Sequence, residues 1–161
     1  MNKNISKTKK LCISGIVIAM YVIIMFFTQH FAFLQFQIRI ATALYSLSYI
    51  FPFLIVPIGL ANALSNFMMG GLGPPDVIGG FIAGIVISSA VYLIRRFKLP
   101  MILIIPTIIL GNGLIVPIWL SYLIGVPYFV LAISISIGQI PSGITAYLLI
   151  KLLDRHMERM E

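Results

Sequence analysis

The charged residues of this chain stand at the ends of long apolar runs and almost nowhere inside them. Lys3, Lys7, Lys9 and Lys10 precede the first run, Arg95, Arg96 and Lys98 form a short interior cluster, and Lys151, Arg155 and Arg159 lie in the tail. Arg39 stands apart from the other basic residues, and Asp76 is the only acidic residue before Asp154. Cations grouped at the ends of apolar segments are what membrane insertion imposes. A soluble domain carries about 25% charged residues. This chain has 9%, against 60% apolar residues and a mean hydropathy of +1.09, so it could not cover itself with a polar surface. The net charge of +7 therefore reads as topology, not as affinity for nucleic acid, and the aromatic residues lie inside apolar runs where they offer bases no platform. Cys12 is the only cysteine, which excludes an intramolecular disulfide and a cysteine-clustered metal site. The start of the chain, basic to Lys10 and then apolar to Phe27, resembles a signal peptide. No small-x-small cleavage site is obvious after it, so an uncleaved first helix is expected.

A membrane-crossing helix needs about 20 apolar residues. The sequence predicts an all-α membrane protein, a single transmembrane domain over residues 1–161 folded as a compact bundle of six helices. Their approximate ranges are 11–28, 40–51, 53–68, 76–94, 100–122 and 127–153. The stretch Ile40–Met69 could also be one span kinked at Pro52 and Pro57. Charge parity chooses two helices hinged at Pro52, because six crossings bring every basic cluster except Arg39 to one side. By the inside bias of Lys and Arg, both termini are expected in the cytoplasm of a multi-pass cell-membrane protein. The second helix is short and is expected not to cross the full thickness. Thr28–Arg39, Met68–Pro75 and Leu123–Pro127 become the outer loops.

Polar side chains inside such runs are the candidates for function. Asp76 opens the fourth helix after Gly70-Gly71-Leu72-Gly73-Pro74-Pro75, where it could serve as a helix cap or help form a pocket. Arg39 breaks the charge bias, which invites a role, although snorkelling to the interface would also account for it. Asn62 and Asn66 lie one turn apart, Asn112 lies between Gly111 and Gly113, and Gln139 follows Gly138. Each amide presents donors and acceptors that need partners away from water. Their blandest role is interhelical glue, worth on average about 0.6 kcal/mol per contact. Convergence of these groups on the outer half suggests instead a pocket for a small polar molecule, lined by Arg39, Asn66, Asp76, Asn112 and Gln139. Gly80, Gly84 and Ser88, and separately Gly15 and Ala19, recur at the four-residue spacing that permits close helix approach. Packing within the bundle explains either set, and one of them could instead meet a partner subunit.

Catalytic motifs are absent: there is no HExxH, P-loop or nucleophile elbow, and no histidine clustered with carboxylates. No enzyme activity and no cofactor or metal is expected. Acidic residues at membrane depth, which an ion relay would want, are not read there either. Three readings stay open on the residues alone: a substrate-binding subunit driven by separate partners, a stand-alone secondary transporter or small channel, and a non-transporting scaffold in which the amides only hold helices together.

Two segments carry a family resemblance: Gln37-Ile38-Arg39-Ile40-Ala41-Thr42-Ala43-Leu44, and Gly70-Gly71-Leu72-Gly73-Pro74-Pro75-Asp76-Val77-Ile78-Gly79, supported by Asn112 and the Gly138-Gln139 pair. With them the chain resembles the substrate-binding S component of an energy-coupling factor transporter, and within that group is most similar to the QueT family, associated with uptake of queuosine precursors. The resemblance implies a six-helix bundle that captures a small ligand at the outer face. It also implies assembly with a membrane coupling protein and two ATPase subunits, Gly15 and Ala19 forming the docking surface. Where the family pattern has glutamate, this chain has Thr42 and Gln139, which leaves the charge of its ligand open.

Overall fold

The computed structural model describes residues 5–32 and 37–158; Lys3, Arg159 and part of the first expected loop lie outside them. The described residues form helices and no strand: α1 (Lys7–Ala32), α2 (Ile55–Ser65), α3 (Pro74–Arg96), α4 (Ile104–Ile115), α5 (Pro117–Ile124), α6 (Tyr128–Gly138) and α7 (Ile140–Glu158). A ten-residue 3-10 helix, Ile40–Tyr49, stands between α1 and α2, and a π-helical turn, Asn66–Gly70, prolongs α2. Four stretches are long and apolar enough to cross a membrane: Lys7–Ala32, Pro52–Gly70, Pro74–Arg96 and Met101–Ile124. A fifth is the pair α6 and α7, which meet at 41°.

Prolines account for the breaks. Pro117 separates α4 from α5, and the ladder continues past it through Val116 N–H to Asn112 O and Leu120 N–H to Val116 O. Pro141 has no N–H to give to the residue four before it, which loosens the helix at that turn. The chain bends at Gln139, whose own N–H still reaches Ile135 O at 2.9 Å. The expected fifth and sixth helices are thus each present as a broken pair.

The expected second helix is not α-helical. Ten residues of α-helix would rise about 15 Å, whereas ten of 3-10 helix rise about 20 Å. At one end of this segment the Arg39 Nε donates to Ala32 O in the last turn of α1, at 3.2 Å. Beyond its other end the Phe53 ring lies 5.7 Å from Lys10 Nζ, in the first turns of α1. Lys10 and Ala32 are 22 residues apart, roughly 33 Å along a helix. The segment Arg39–Phe53 therefore runs back along nearly all of α1, further than the sequence suggested for a short second helix.

The same contacts sort the charges. Arg95 Nη1 donates to Tyr49 O at 3.3 Å, so the end of α3 lies with the start of α1. α4 and α7 run antiparallel, with Gly143 against Ile105 and Ile109, which carries Lys151 toward the level of Lys98. Basic residues gather at this end; Arg39 and the Gly70–Pro75 turn occupy the other. Between them Tyr21, Met25, Tyr45, Ile58, Ile87, Ile108 and Ile150 fill the core. α2 and α3 pack most extensively, and a methyl on Gly84 would come within 2.8 Å of Gly59 Cα. The small-residue spacing on α3 is thus used inside the bundle. That on α1 is not, since Gly15 and Ala19 are exposed and nothing lies within 4 Å of a Gly15 Cβ.

Candidate functional site

A 3-10 helix has three residues per turn, so residues three apart eclipse one another. Arg39, Thr42, Tyr45 and Ser48 are spaced in this way, and all four are buried. They form one polar row at the centre of the bundle, and α1, α2, α3 and α7 each answer it with a polar group.

Arg39, 5% exposed, heads the row. Besides Ala32 O, its Nη1 donates to Asn66 Oδ1 at 3.0 Å and to Asn62 Oδ1 at 3.4 Å, so Asn66 takes the stronger share. Asn62 on α2 and Asn66 at the start of the π-helical turn lie one turn apart, and their nitrogens point on to α3. Asn66 Nδ2 donates to Asp76 O at 3.0 Å, and Asn62 Nδ2 donates to Gly80 O and to the Tyr45 hydroxyl, each at 2.8 Å. Gly80 permits this approach, because a Cβ there would sit 2.6 Å from Asn66 Nδ2. The Tyr45 ring lies parallel to that of Tyr21, with the hydroxyls 3.5 Å apart.

The break between α6 and α7 closes the other flank. Gln139 Nε2 donates to Gln37 O at 2.8 Å, which fixes the amide's orientation and turns Oε1 toward Thr42, 2.7 Å away. Thr42 Oγ1 also lies 2.7 Å from Arg39 O. That carbonyl already receives Ser142 Oγ at 2.8 Å and Thr42 N–H at 3.0 Å. A hydroxyl has one hydrogen, so the Thr42 proton goes to Gln139. Thr42 and Gln139, 97 residues apart in the chain, are therefore neighbours here.

Asp76 joins from α3. It is 2% exposed, and its Oδ1 accepts from Trp119 Nε1 on α5 at 3.0 Å. Its Oδ2 is buried with no hydrogen-bond partner among the described residues. It does not cap α3, whose start makes no side-chain cap bond. Asn112 stands apart. It is buried on α4, and its Nδ2 returns to Ile108 O at 2.9 Å, within its own helix. The structure thus joins Arg39, Asn66, Asp76 and, through Thr42, Gln139 in one hydrogen-bonded array, and gives Asn112 no bond to it among the described residues. Tyr45, Tyr21, Trp119, Gln37 and Ser142 belong to the array and were not singled out from the sequence.

Beside the array a cavity of about 450 Å³ opens between the π-helical turn and the start of α3. Asn66, Phe67, Gly71, Gly73, Pro74, Val77 and Ile78 line it, and Asn66 is the lining residue that also bonds Arg39. Such an arrangement can hold a small molecule by hydrogen bonds at one end of a membrane bundle.

Comparison with known proteins agrees with a transport role. A family model described as QueT transporter matches residues 11–155, most of the chain. No curated protein and no solved structure matches it.

Proposed function

From the premise that this chain belongs to the QueT transporter family, we propose that it is the membrane-embedded substrate-binding subunit of an ATP-driven importer. It captures a small polar ligand, of the class of queuosine precursors and related deazapurines, at the outer face. The observation that carries this reading is the buried array around Arg39, whose Asp76 carboxylate keeps one buried oxygen without a partner among the described residues. Arg39, Asn66, Asp76 and Gln139 would contact the ligand, and Asn112, with Nδ2 engaged on Ile108, would offer its Oδ1. Mass spectrometry of what leaves the column with the protein in mild detergent, followed by calorimetry with deazapurines, tests it. A protein that retains nothing and binds none of them is not such a subunit.

The chain carries no ATPase motif of its own, so the reading includes a membrane coupling protein and two ATPase subunits. The α1 face at Gly15 and Ala19, left open by the bundle, is the docking surface. Gly15→Leu and Ala19→Leu are expected to weaken co-purification with the coupling module while ligand affinity stays unchanged, because bulky side chains prevent close helix approach. Lost affinity with intact assembly would mean that this face serves the ligand site instead.

Six crossings with both termini cytoplasmic complete the proposal. Gly71 and Gly73 have φ of +68° and +82°, so a cysteine in this turn is better placed at Pro75. In a Cys12→Ser background, Pro75→Cys is expected to react with an impermeant thiol reagent added to whole cells. Protection there, with labelling at Arg96→Cys, would invert the orientation.

A further inference from the structure

Asp76 is the third residue of α3 after Gly73, and the first two are prolines. Pro74 and Pro75 have no N–H to offer, and the N–H groups of Asp76 and Val77 both go to Gly73 O, at 3.2 and 3.4 Å. The donors of this helix start are therefore already taken, and nothing of the backbone there is left for the carboxylate. What holds the carboxylate is Trp119 Nε1, on one oxygen only. Trp119 can come this close because position 79 is glycine, where a Cβ would lie 2.4 Å from the indole ring. The backbone of Asp76 is pinned as well, by Asn66 Nδ2 on its carbonyl. The residue is thus held at two points, its carboxylate by Trp119 and its carbonyl by Asn66, with Oδ2 buried and without a partner among the described residues. Buried polar atoms nearly always have a partner, and a charged one left bare is more costly than a neutral one. A rigid acceptor held ready in this way suits a donor that arrives from outside the chain.

We propose that Asp76 Oδ2 accepts a hydrogen bond from an N–H of the transported molecule, a ring lactam N–H or an exocyclic amine, which makes the site selective for molecules that carry such a donor. Trp119 is the positioning residue: by occupying Oδ1 it leaves a single directed acceptor. This rests on the reading of the chain as an uptake subunit and adds to it a ligand class, neutral or cationic and donor-bearing. Acceptor-only or anionic molecules would face a carboxylate with nothing to give it. A site built to pair a ligand N–H discriminates strongly against analogues that lack it.

The test compares 7-deazaguanine with its 2-deamino and 1-methyl analogues, each missing one donor, by calorimetry on the full-length protein in detergent. Wild type is expected to bind at least one analogue about 10- to 150-fold more weakly than 7-deazaguanine, the range for a hydrogen bond to a charged group. Asp76→Asn puts an N–H where the ligand's donor would sit and is expected to bring that ratio to near parity. Trp119→Phe keeps the carboxylate but removes the donor on Oδ1 and frees it to turn, and should narrow the ratio between the compounds, whereas a purely structural role for the indole would weaken all three alike and leave the ratio unchanged. A wild-type protein that binds all three compounds alike overturns the proposal and leaves the uptake reading standing. The same holds for a ratio that survives Asp76→Asn. If Asp76→Asn does not fold, an unchanged ratio in Trp119→Phe overturns it alone. Failure of all three compounds to bind wild type removes the deazapurine reading and this inference with it.

Discussion

Exchanging Arg39 for methionine is expected to lower the unfolding temperature of the detergent-solubilised protein by about 6–12 °C and to abolish ligand retention. The guanidinium supplies Ala32 O, Asn62 Oδ1 and Asn66 Oδ1. Methionine fills much of the same volume and supplies none of them. Leaving a buried acceptor without its donor costs about 1–3 kcal/mol, so three acceptors together put the loss near 3 kcal/mol or above, which at this chain length corresponds to the stated shift. The mean value for polar contacts between membrane helices is far smaller, about 0.6 kcal/mol, because a freed group usually finds another partner. Here that escape is closed. Both hydrogens of Asn62 Nδ2 are already given to Tyr45 and Gly80, and Asn66 Nδ2 is given to Asp76 O, so neither amide can turn without losing a bond it now makes. Arg39→Lys should recover little, since a single ammonium cannot reach the Ala32 carbonyl and the two amides from one position as a planar fork does. Arg95→Met, at an exposed guanidinium with one bond to Tyr49 O, is the control and should melt close to wild type. An Arg39→Met protein that melts with that control would mean the array contributes little to holding the helices together.

Much of this arrangement could be read from the residues, and the physics explains which parts could not. Span positions follow from local hydropathy, so α1, α3 and the two broken pairs fall where apolar runs and basic ends put them. The breaks at Pro117 and Gln139 were less visible, because a proline inside an apolar membrane run is often accommodated without a bend. The choice between α-helix and 3-10 helix over Ile40–Tyr49 is set by tertiary contacts, but a signal for it exists. Arg39, Thr42, Tyr45 and Ser48 repeat every three residues, a period that keeps one face only when there are three residues per turn. On an α-helix the same four would wind around the axis and could not all face one row of partners. Arg39, Asn66 and Asp76 were legible as site candidates because a polar group in an apolar run must be answered. The groups that answer them were hidden. Tyr45 and Trp119 count as apolar in any hydropathy pattern, yet each carries a polar tip that seeks a partner when buried. Gln37 acts through its backbone carbonyl, which no side-chain pattern reports. Asn112 shows the opposite case, since an amide in mid-helix can return to a carbonyl one turn back, and its sequence context looks the same either way.

Gln139→Glu carries the other large effect, and the local geometry decides its direction. Gln139 now accepts from Thr42 at Oε1 and donates from Nε2 to Gln37 O at 2.8 Å. Glutamate keeps the acceptor and replaces the donor with a second oxygen, which then faces a carbonyl oxygen at contact distance. Without ligand, the exchange is expected to cost about 1–3 kcal/mol, the penalty for a buried group left unsatisfied, and to loosen the hold of α6 and α7 on the residues just before the 3-10 helix. A ligand changes the sign only if it brings a cation. An aminomethyl group placed between the new carboxylate and Gln37 O would satisfy both, so 7-aminomethyl-7-deazaguanine should bind the variant as tightly as wild type or more tightly. Neutral 7-deazaguanine has no such group to offer and should bind more weakly, because the buried charge stays uncompensated. Calorimetry with both compounds, paired with thermal melts in the absence of ligand, separates the effect on the fold from the effect on recognition. Equal changes for the two ligands would show that Gln139 latches the bundle without touching what it carries, and an unaltered melt would show that the bond to Gln37 does not hold the break in place.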